Sequence, residues 1–132
     1  GRNLDLHCGY GENVVITPRN YEINMRCEKA IKSHHAMIGM ACVVDGFPLY
    51  YEATNEKGLS MAGLNFPENA VYCHFAEKKD NVSPFELIHW ILAQCSCIDE
   101  ARVLLEKINL VTSCGRGKTS SSSFRGFSNV KL

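Results

Sequence analysis

A strand-turn-strand pattern between residues 12 and 67 constrains the fold of this chain more than any other feature. Residues 36–44 form a largely apolar run that ends at Asp45-Gly46, a favoured two-residue hairpin turn. Residues 49–53 then run back along it. The pattern therefore predicts an antiparallel hairpin, around which any fold of this chain has to be built.

Two shorter strands extend this hairpin into a β-meander. Residues 14–17 form a β-branched strand that Pro18 stops. On the other side, residues 59–64 follow a turn in which Gly58 is free to take a positive φ.

Two helices are predicted after the meander. Ser83-Pro84-Phe85-Glu86 has the pattern of a capping box, with Pro at the first helical position. Ser96, with Asp99 three residues later, predicts the start of a second helix in the same way. Apolar residues then recur at helical spacing: Phe85, Ile88, Ile91, Leu92 and Cys95 in the first helix, and Ile98, Ala101, Leu104, Leu105 and Ile108 in the second. A sheet followed by a helix pair predicts an α+β fold.

Composition narrows the function classes. Fourteen basic and fourteen acidic residues cancel, so no overall charge favours nucleic acid or an anionic membrane as a partner. No apolar run approaches the roughly 20 residues of a membrane-spanning helix. We therefore expect a small amphipathic ligand and a cytoplasmic location.

The seven cysteines show no metal-binding spacing. Cys95 and Cys97, one residue apart, match no common zinc pattern, so we expect no metal and reduced thiols throughout. We also expect His34-His35 and Cys8 to lie in solvated loops.

The composition changes at Thr112. Residues 112–132 are rich in Ser, Gly and basic residues and carry no acidic residue. We therefore expect a domain over residues 1–111 and a disordered or frameshifted tail over 112–132.

Two longer motifs indicate a family. Gly1-Arg2-Asn3-Leu4-Asp5 and the segment from Asn55-Glu56-Lys57-Gly58-Leu59 to Asn65-Phe66-Pro67 resemble the choloylglycine hydrolase family of bile salt hydrolases and penicillin V acylases. Thr17-Pro18-Arg19-Asn20 and Trp90 agree in order and spacing. The resemblance covers about residues 1–111 and implies part of an αββα sandwich of the N-terminal-nucleophile hydrolase type, with no cofactor.

The resemblance also implies catalytic roles. In this family an N-terminal Cys attacks an amide carbonyl, and its own α-amino group serves as the base. Arg2 corresponds to the cation that favours the thiolate, Asp5 to the acceptor that holds the amine, and Asn65 to an oxyanion donor. Asn65 is typical of the bile-salt branch, whereas Tyr is common there in penicillin V acylases.

An apolar substrate pocket is a further implication of the family. Its candidate walls in this chain are Leu4, Tyr10, Met40, Val44 and Phe47.

The chain also departs from the family pattern. None of its seven cysteines is N-terminal, so we expect a fragment that lacks the nucleophile and does not turn over substrate by itself. The parent enzyme is expected to be a homotetramer, as is frequent in the family. A penicillin V acylase-like amidase and a non-catalytic relic that keeps only a binding module remain alternatives.

Overall fold

The computed structural model describes residues 9–64 and 71–112 of the chain. A four-stranded antiparallel sheet in the order β1-β2-β3-β4 is its centre. The strands are β1 (Asn13–Thr17), β2 (Met37–Val44), β3 (Phe47–Asn55) and β4 (Ser60–Ala62). The predicted meander is therefore confirmed.

The two predicted turns have the expected backbone. Asp45 (φ 51°) and Gly46 (φ 78°) both take the left-handed conformation that a tight hairpin turn between twisted strands requires. Gly58 has φ 84°. Local turn chemistry thus fixes the pairing of β2 with β3 and of β3 with β4.

One irregularity interrupts the central hairpin. Met40 pairs with Glu52 and Ala41 with Tyr50, so Tyr51 is an extra residue on β3, a β-bulge. The alternation of apolar and polar residues did not predict this bulge, because a bulge depends on how two strands pair.

Helix α1 (Leu87–Gln94) packs across the sheet and is buried from Leu87 to Ala93. One core cluster joins the sheet to the helix. Its buried members are Met37, Ala41, Tyr50, Ala53, Ile88, Leu92 and Ala93. Because strand side chains alternate, Met40 and Ile38 lie on the opposite face of the sheet, which α1 leaves uncovered and which is here called the uncovered face.

The capping-box prediction is wrong, although the helix exists. Residues Pro84–Glu86 form a 3₁₀ turn before α1, and Ser83 makes no side-chain cap. Glu86 is buried, and its carboxylate accepts a hydrogen bond from the Arg26 amide at 2.9 Å. The Glu86 carboxylate therefore makes a tertiary contact instead of the local cap that the capping-box pattern predicts.

The second helix ends earlier than predicted. Helix α2 (Ile98–Leu105) is capped by Cys97, not Ser96, and none of its residues is fully buried. Ile98 is largely exposed. Ile108 belongs to β6 (Ile108–Leu110), which pairs in parallel with β5 (Asp80–Val82).

Two further expectations fail. His34 is buried at 6% exposure, whereas a solvated position was expected. Cys27 is disulfide-bonded, so the prediction that all the cysteines are reduced is wrong. Free thiols are present at Cys42, Cys73, Cys95 and Cys97.

Candidate active site

Four of the predicted site residues, Arg2, Leu4, Asp5 and Asn65, lie outside the described residues. Cys8 and all but the first residue of the 112–132 tail do so too. The structure does describe the chain from residue 9 onwards and the chain on both sides of residues 65–70. The geometry of these flanking segments therefore constrains where the site residues lie.

Tyr10, five residues after Asp5, lies against the uncovered face of the sheet. The Cys42 thiol, on that face of β2, donates a hydrogen bond to the Tyr10 carbonyl at 3.1 Å. Gly11 (φ 76°) lies between Tyr10 and the start of β1. The chain thus lies over β2 five residues after Asp5 and enters the sheet at its edge.

The segment that precedes Asn65 is the edge strand β4. Its register is set by the pairs Thr54 with Ser60 and Glu52 with Ala62. The ladder continues one residue further, because the Gly63 amide donates to the Tyr51 carbonyl at 2.8 Å. The backbone is therefore fixed to within two residues of Asn65.

Tyr51 joins the two segments. Its carbonyl binds Gly63, and its side chain interacts electrostatically with Tyr10, Glu12 and Cys42. Burial, with smaller contributions from Cys42, Glu12 and Tyr10, raises the pKa of Tyr51 to about 12, so the phenol stays neutral at pH 7. The β-bulge thus lies where the flanks of the two family motifs converge.

Sequence reasoning did not single out Tyr51. The signal that could have found it is the Tyr50-Tyr51 doublet, two adjacent large residues in a strand that should alternate. Both are buried in the structure, at 6% and 9% exposure, which regular alternation over a sheet with one uncovered face does not produce.

The predicted pocket residues fall on two sides of the sheet. Tyr10, at 38% exposure, and half-buried Met40 belong to the uncovered face. Phe47 instead turns towards the helix, with its ring centroid 5.3 Å from that of His89. Val44 pairs directly with Phe47 at the end of the hairpin. The structure therefore brings Tyr10 and Met40 to one face and separates Phe47 from them; the pocket role of all four residues stays a prediction.

The other two family segments contact each other. Arg19, from the Thr17-Pro18-Arg19-Asn20 segment, forms a two-pronged ion pair with Glu56. Glu56 also accepts the Ala36 amide at 3.1 Å and lies 3.5 Å from His35 Nδ1. Arg19 first, then the Ala36 amide, lowers the pKa of Glu56 to about 2.

Asn55 ties the turn before β4 to the helix layer. Its Nδ2 donates to the carbonyls of Leu92 (2.9 Å) and Cys95 (2.7 Å), and its Oδ1 accepts the amides of Lys57 and Leu59. Asn55 is 3% exposed. The Asn-Glu pair of the motif therefore has a structural role: it holds the turn from which β4 runs towards Asn65.

The described residues contain no cluster of three or more His, Cys, Asp or Glu side chains able to hold a metal ion. Over the same ranges, no helix is both long and apolar enough to cross a membrane.

Comparison with known proteins identifies what the chain is similar to. The model of the family "Linear amide C-N hydrolases, choloylglycine hydrolase family" matches residues 1–121. That match runs past residue 111, and the division at 111 stays a prediction.

Curated relatives carry matching names. A bile salt hydrolase/transferase of Lactiplantibacillus plantarum is 46% identical over 111 residues, which cover 84% of this chain and 34% of the relative. A conjugated bile acid hydrolase of Lactobacillus gasseri is 39% identical over 118 residues, 84% of this chain and 35% of the relative. The chain thus spans about a third of the length of these relatives.

Solved structures agree on the fold. A crystal structure of a mutant conjugated bile acid hydrolase from Clostridium perfringens superposes with a TM-score of 0.76 at 32% identity, covering 83% of this chain and 34% of that one. A penicillin V acylase from Agrobacterium tumefaciens gives 0.68 at 22% identity, covering 84% and 35%. The predicted α+β fold, as part of an N-terminal-nucleophile hydrolase sandwich, is confirmed.

Proposed function

This chain belongs to the choloylglycine hydrolase family of linear amide C-N hydrolases, and we propose that it is part of an amidase that cleaves glycine- or taurine-conjugated bile salts. The names of the relatives from Lactiplantibacillus plantarum, Lactobacillus gasseri and Clostridium perfringens support this substrate class. Because the chain spans about a third of their length, the activity is proposed for the protein that contains this segment.

One geometric observation carries the proposal. The Tyr10 carbonyl, after Asp5, accepts the Cys42 thiol on β2, and the Gly63 amide, before Asn65, donates to Tyr51 on the paired strand β3. Two motifs about 60 residues apart in the sequence therefore have neighbouring flanks. Such convergence is what a single reaction centre built from both motifs needs.

The proposed chemistry is that of an N-terminal Cys. Its thiolate attacks the amide carbonyl, and its α-amino group takes the thiol proton and then delivers it to the departing amine of glycine or taurine. Arg2 favours the thiolate by its fixed positive charge, and Asp5 accepts hydrogen bonds from the α-amine. Asn65 donates to the oxyanion of the tetrahedral intermediate. Water then hydrolyses the thioester and releases the bile acid.

The substrate pocket is proposed on the uncovered face of the sheet. Tyr10 and Met40 lie there, and Leu4 and Val44 are proposed to join them. An apolar wall of this kind fits a steroid nucleus, whereas the amide must reach the polar end near the two motif flanks. Phe47 is retained as a pocket candidate on the family resemblance alone.

A cytoplasmic location and a homotetrameric assembly are also proposed from the family resemblance. Size-exclusion chromatography with light scattering on the protein that contains this segment tests the assembly: a mass of four subunits supports it, and a monomer contradicts it.

The test of function uses the longer reading frame that contains this segment. We expect the purified protein to release glycine or taurine from glycocholate and taurocholate, measured by amine detection. Asn65→Ala should lower kcat by about 100- to 1,000-fold, because one oxyanion donor is lost. Asn69→Ala, a nearby asparagine with no assigned role, is the matched control and should leave kcat unchanged.

Penicillin V provides the competing substrate in the same assay. Hydrolysis of penicillin V with no release from either bile salt would replace the bile-salt proposal by the acylase alternative. Absence of amide hydrolysis with all three substrates would leave the binding-module alternative. Equal loss in Asn65→Ala and Asn69→Ala would contradict the role of Asn65.

A further inference from the structure

Three histidines meet where the long β1–β2 loop, residues 18–36, contacts helix α1. His34 and His35 belong to the loop and His89 to the helix. The His34 and His89 ring centroids are 6.4 Å apart in an edge-on arrangement. The bile-salt proposal assigns no role to any of the three.

His89 is buried in an aromatic cage without a hydrogen bond. It is 1% exposed, and its ring contacts those of Phe47 and Tyr50 at centroid distances of 5.3 and 5.6 Å. Within the described residues neither of its ring nitrogens makes a hydrogen bond. A charged imidazolium in such a cage would have the Pro48 carbonyl beside it, but no hydrogen bond is in place for either N–H.

His34 has the opposite environment. Its Nδ1 lies 2.7 Å from the His35 carbonyl, and its Nε2 contacts the Tyr21 carbonyl. Carbonyl oxygens only accept, so both contacts are hydrogen bonds only when both nitrogens carry protons. Charge on His34 disfavours a second charge on the adjacent ring of His89.

The groups around His89 do not supply a compensating negative charge. His34 faces it from the loop and Tyr50 from β3, while Phe47 is neutral. In the 3₁₀ turn before α1, Oε1 of the Glu86 carboxylate accepts the Arg26 amide. Glu56 is held by Arg19 and lies beside His35.

The loop is joined to the helix layer through this cluster. The His35 amide donates to the Ala93 carbonyl at 3.1 Å, and His35 Nε2 lies 3.2 Å from the Ser96 hydroxyl. His89 faces the loop at this junction through the ring of His34. We propose that the three histidines form an acid-sensitive joint: the loop is closed on α1 while His89 is neutral and opens when His89 takes up a proton.

The size of the effect follows from the protonation equilibrium. Burial, then the charge of His34, lowers the pKa of His89 to about 4, against an ordinary 6.5; the Pro48 carbonyl opposes this shift. When the loop opens and the pKa of His89 returns to its ordinary value, His89 binds a proton more tightly than it does in the closed state. The open-to-closed ratio should therefore rise about 20-fold between pH 7 and pH 5.

Hydrogen exchange of the 132-residue chain tests the joint, after correction for intrinsic rates at each pH. The reporters are the hydrogen-bonded amides of Ile23, Ile31 and His35, and the reference is the β2–β3 ladder. We expect protection of the reporters to fall about 20-fold from pH 7 to pH 5 while the ladder stays protected. An equal fall in the ladder would overturn the joint, because it would mean global unfolding.

Two variants and one spectroscopic measurement complete the test. His89→Leu should abolish the pH response of the reporters, and His74→Gln, which changes an exposed histidine, should preserve it. A full response in His89→Leu would overturn the proposal. If His89→Leu does not fold, ring NMR of His89 in the unmodified chain decides: titration of the ring without parallel loss of reporter protection would equally overturn it.

Discussion

Gly39 lies where the backbones of β2 and β3 leave no room for a side chain. A Cβ at this position would lie 1.9 Å from the Glu52 carbonyl oxygen and 2.6 Å from Ala53 Cα. Both are backbone atoms and cannot rotate away. The residue is adjacent to Met40, one of the two β2 residues opposite the bulge at Tyr51.

Gly39→Ala should therefore destabilise the chain by about 1–3 kcal/mol, because the strands must separate to admit one methyl group. Urea unfolding measures the loss. Gly9→Ala is the control, since its Cβ would meet only Glu12 Oε2 at 3.5 Å. Equal stability of the two variants would contradict the close approach of β2 and β3.

Asn55 is a second residue at which the surrounding structure requires one particular side chain. All its side-chain bonds involve backbone atoms, two carbonyls of the helix layer and two amides of its own turn. The amide group supplies both donors and acceptor in one planar unit, which neither Asp nor Ala can do.

Asn55→Asp should destabilise by about 2–4 kcal/mol, because it keeps the acceptor but leaves the Leu92 and Cys95 carbonyls facing a buried carboxylate. Asn13→Asp is a matched control, since Asn13 is exposed and its side chain donates to the Gly11 carbonyl of its own loop. Thermal unfolding at pH 7 compares them. A loss no larger than that of the control would refute the buried role of Asn55.

At the scale of elements, Glu56 links three pieces of chain. It pairs with Arg19 after β1, accepts the Ala36 amide before β2 and belongs to the turn between β3 and β4. Its folded pKa of about 2 is below its ordinary 4.5. A depressed carboxyl pKa contributes stability that is complete above the ordinary value and is lost as pH falls through the folded value.

Glu56→Gln should accordingly lower the free energy of unfolding at pH 6. Between about pH 4.5 and pH 2, the variant should lose less of this free energy than the unmodified chain does. The difference between the two unfolding free energies, measured by urea titration at each pH, isolates this carboxyl. Glu77→Gln, an exposed change, should retain the full acid dependence. A constant difference between Glu56→Gln and the unmodified chain across this range would count against the linkage.

The helical elements show how a tertiary contact overrides a local signal. Ser83 and Glu86 have the residue types of a capping box, yet Glu86 binds Arg26, 60 residues earlier. Ile108 has helical spacing from Leu104 and Leu105, yet pairs in a strand with Asp80. In both cases the partner is distant in sequence, and no window of 10–15 residues contains it.

For the whole molecule, the uncovered face of the sheet is the main exposed apolar surface of the described residues. Val14, Ile16 and Ile38 are 68%, 66% and 47% exposed on neighbouring positions of β1 and β2. Contiguous exposed apolar residues on a flat sheet favour association between copies.

We expect the 132-residue chain to self-associate with rising concentration, measured by light scattering after size-exclusion chromatography. Val14→Thr with Ile16→Thr should reduce association at little cost in stability, because both side chains are already exposed. Val103→Thr on α2, also exposed at 54%, is the control and should have no such effect. Association that responds equally to both changes would exclude this face as its cause.

The sequence by itself determined the parts of this protein that depend on neighbouring residues. Asp45-Gly46 predicts the hairpin because only certain residues take positive φ, and periodicity predicts α1 because one face must be apolar. The family motifs identified the class of amidase and named Arg2, Asp5 and Asn65, whose roles stay predictions. Tertiary structure alone decided the bulge at Tyr51, the burial of His34, His89 and Glu86, and the bonds of Asn55. Each of these depends on which distant strand or helix comes into contact, and that is a property of packing, which no local pattern contains.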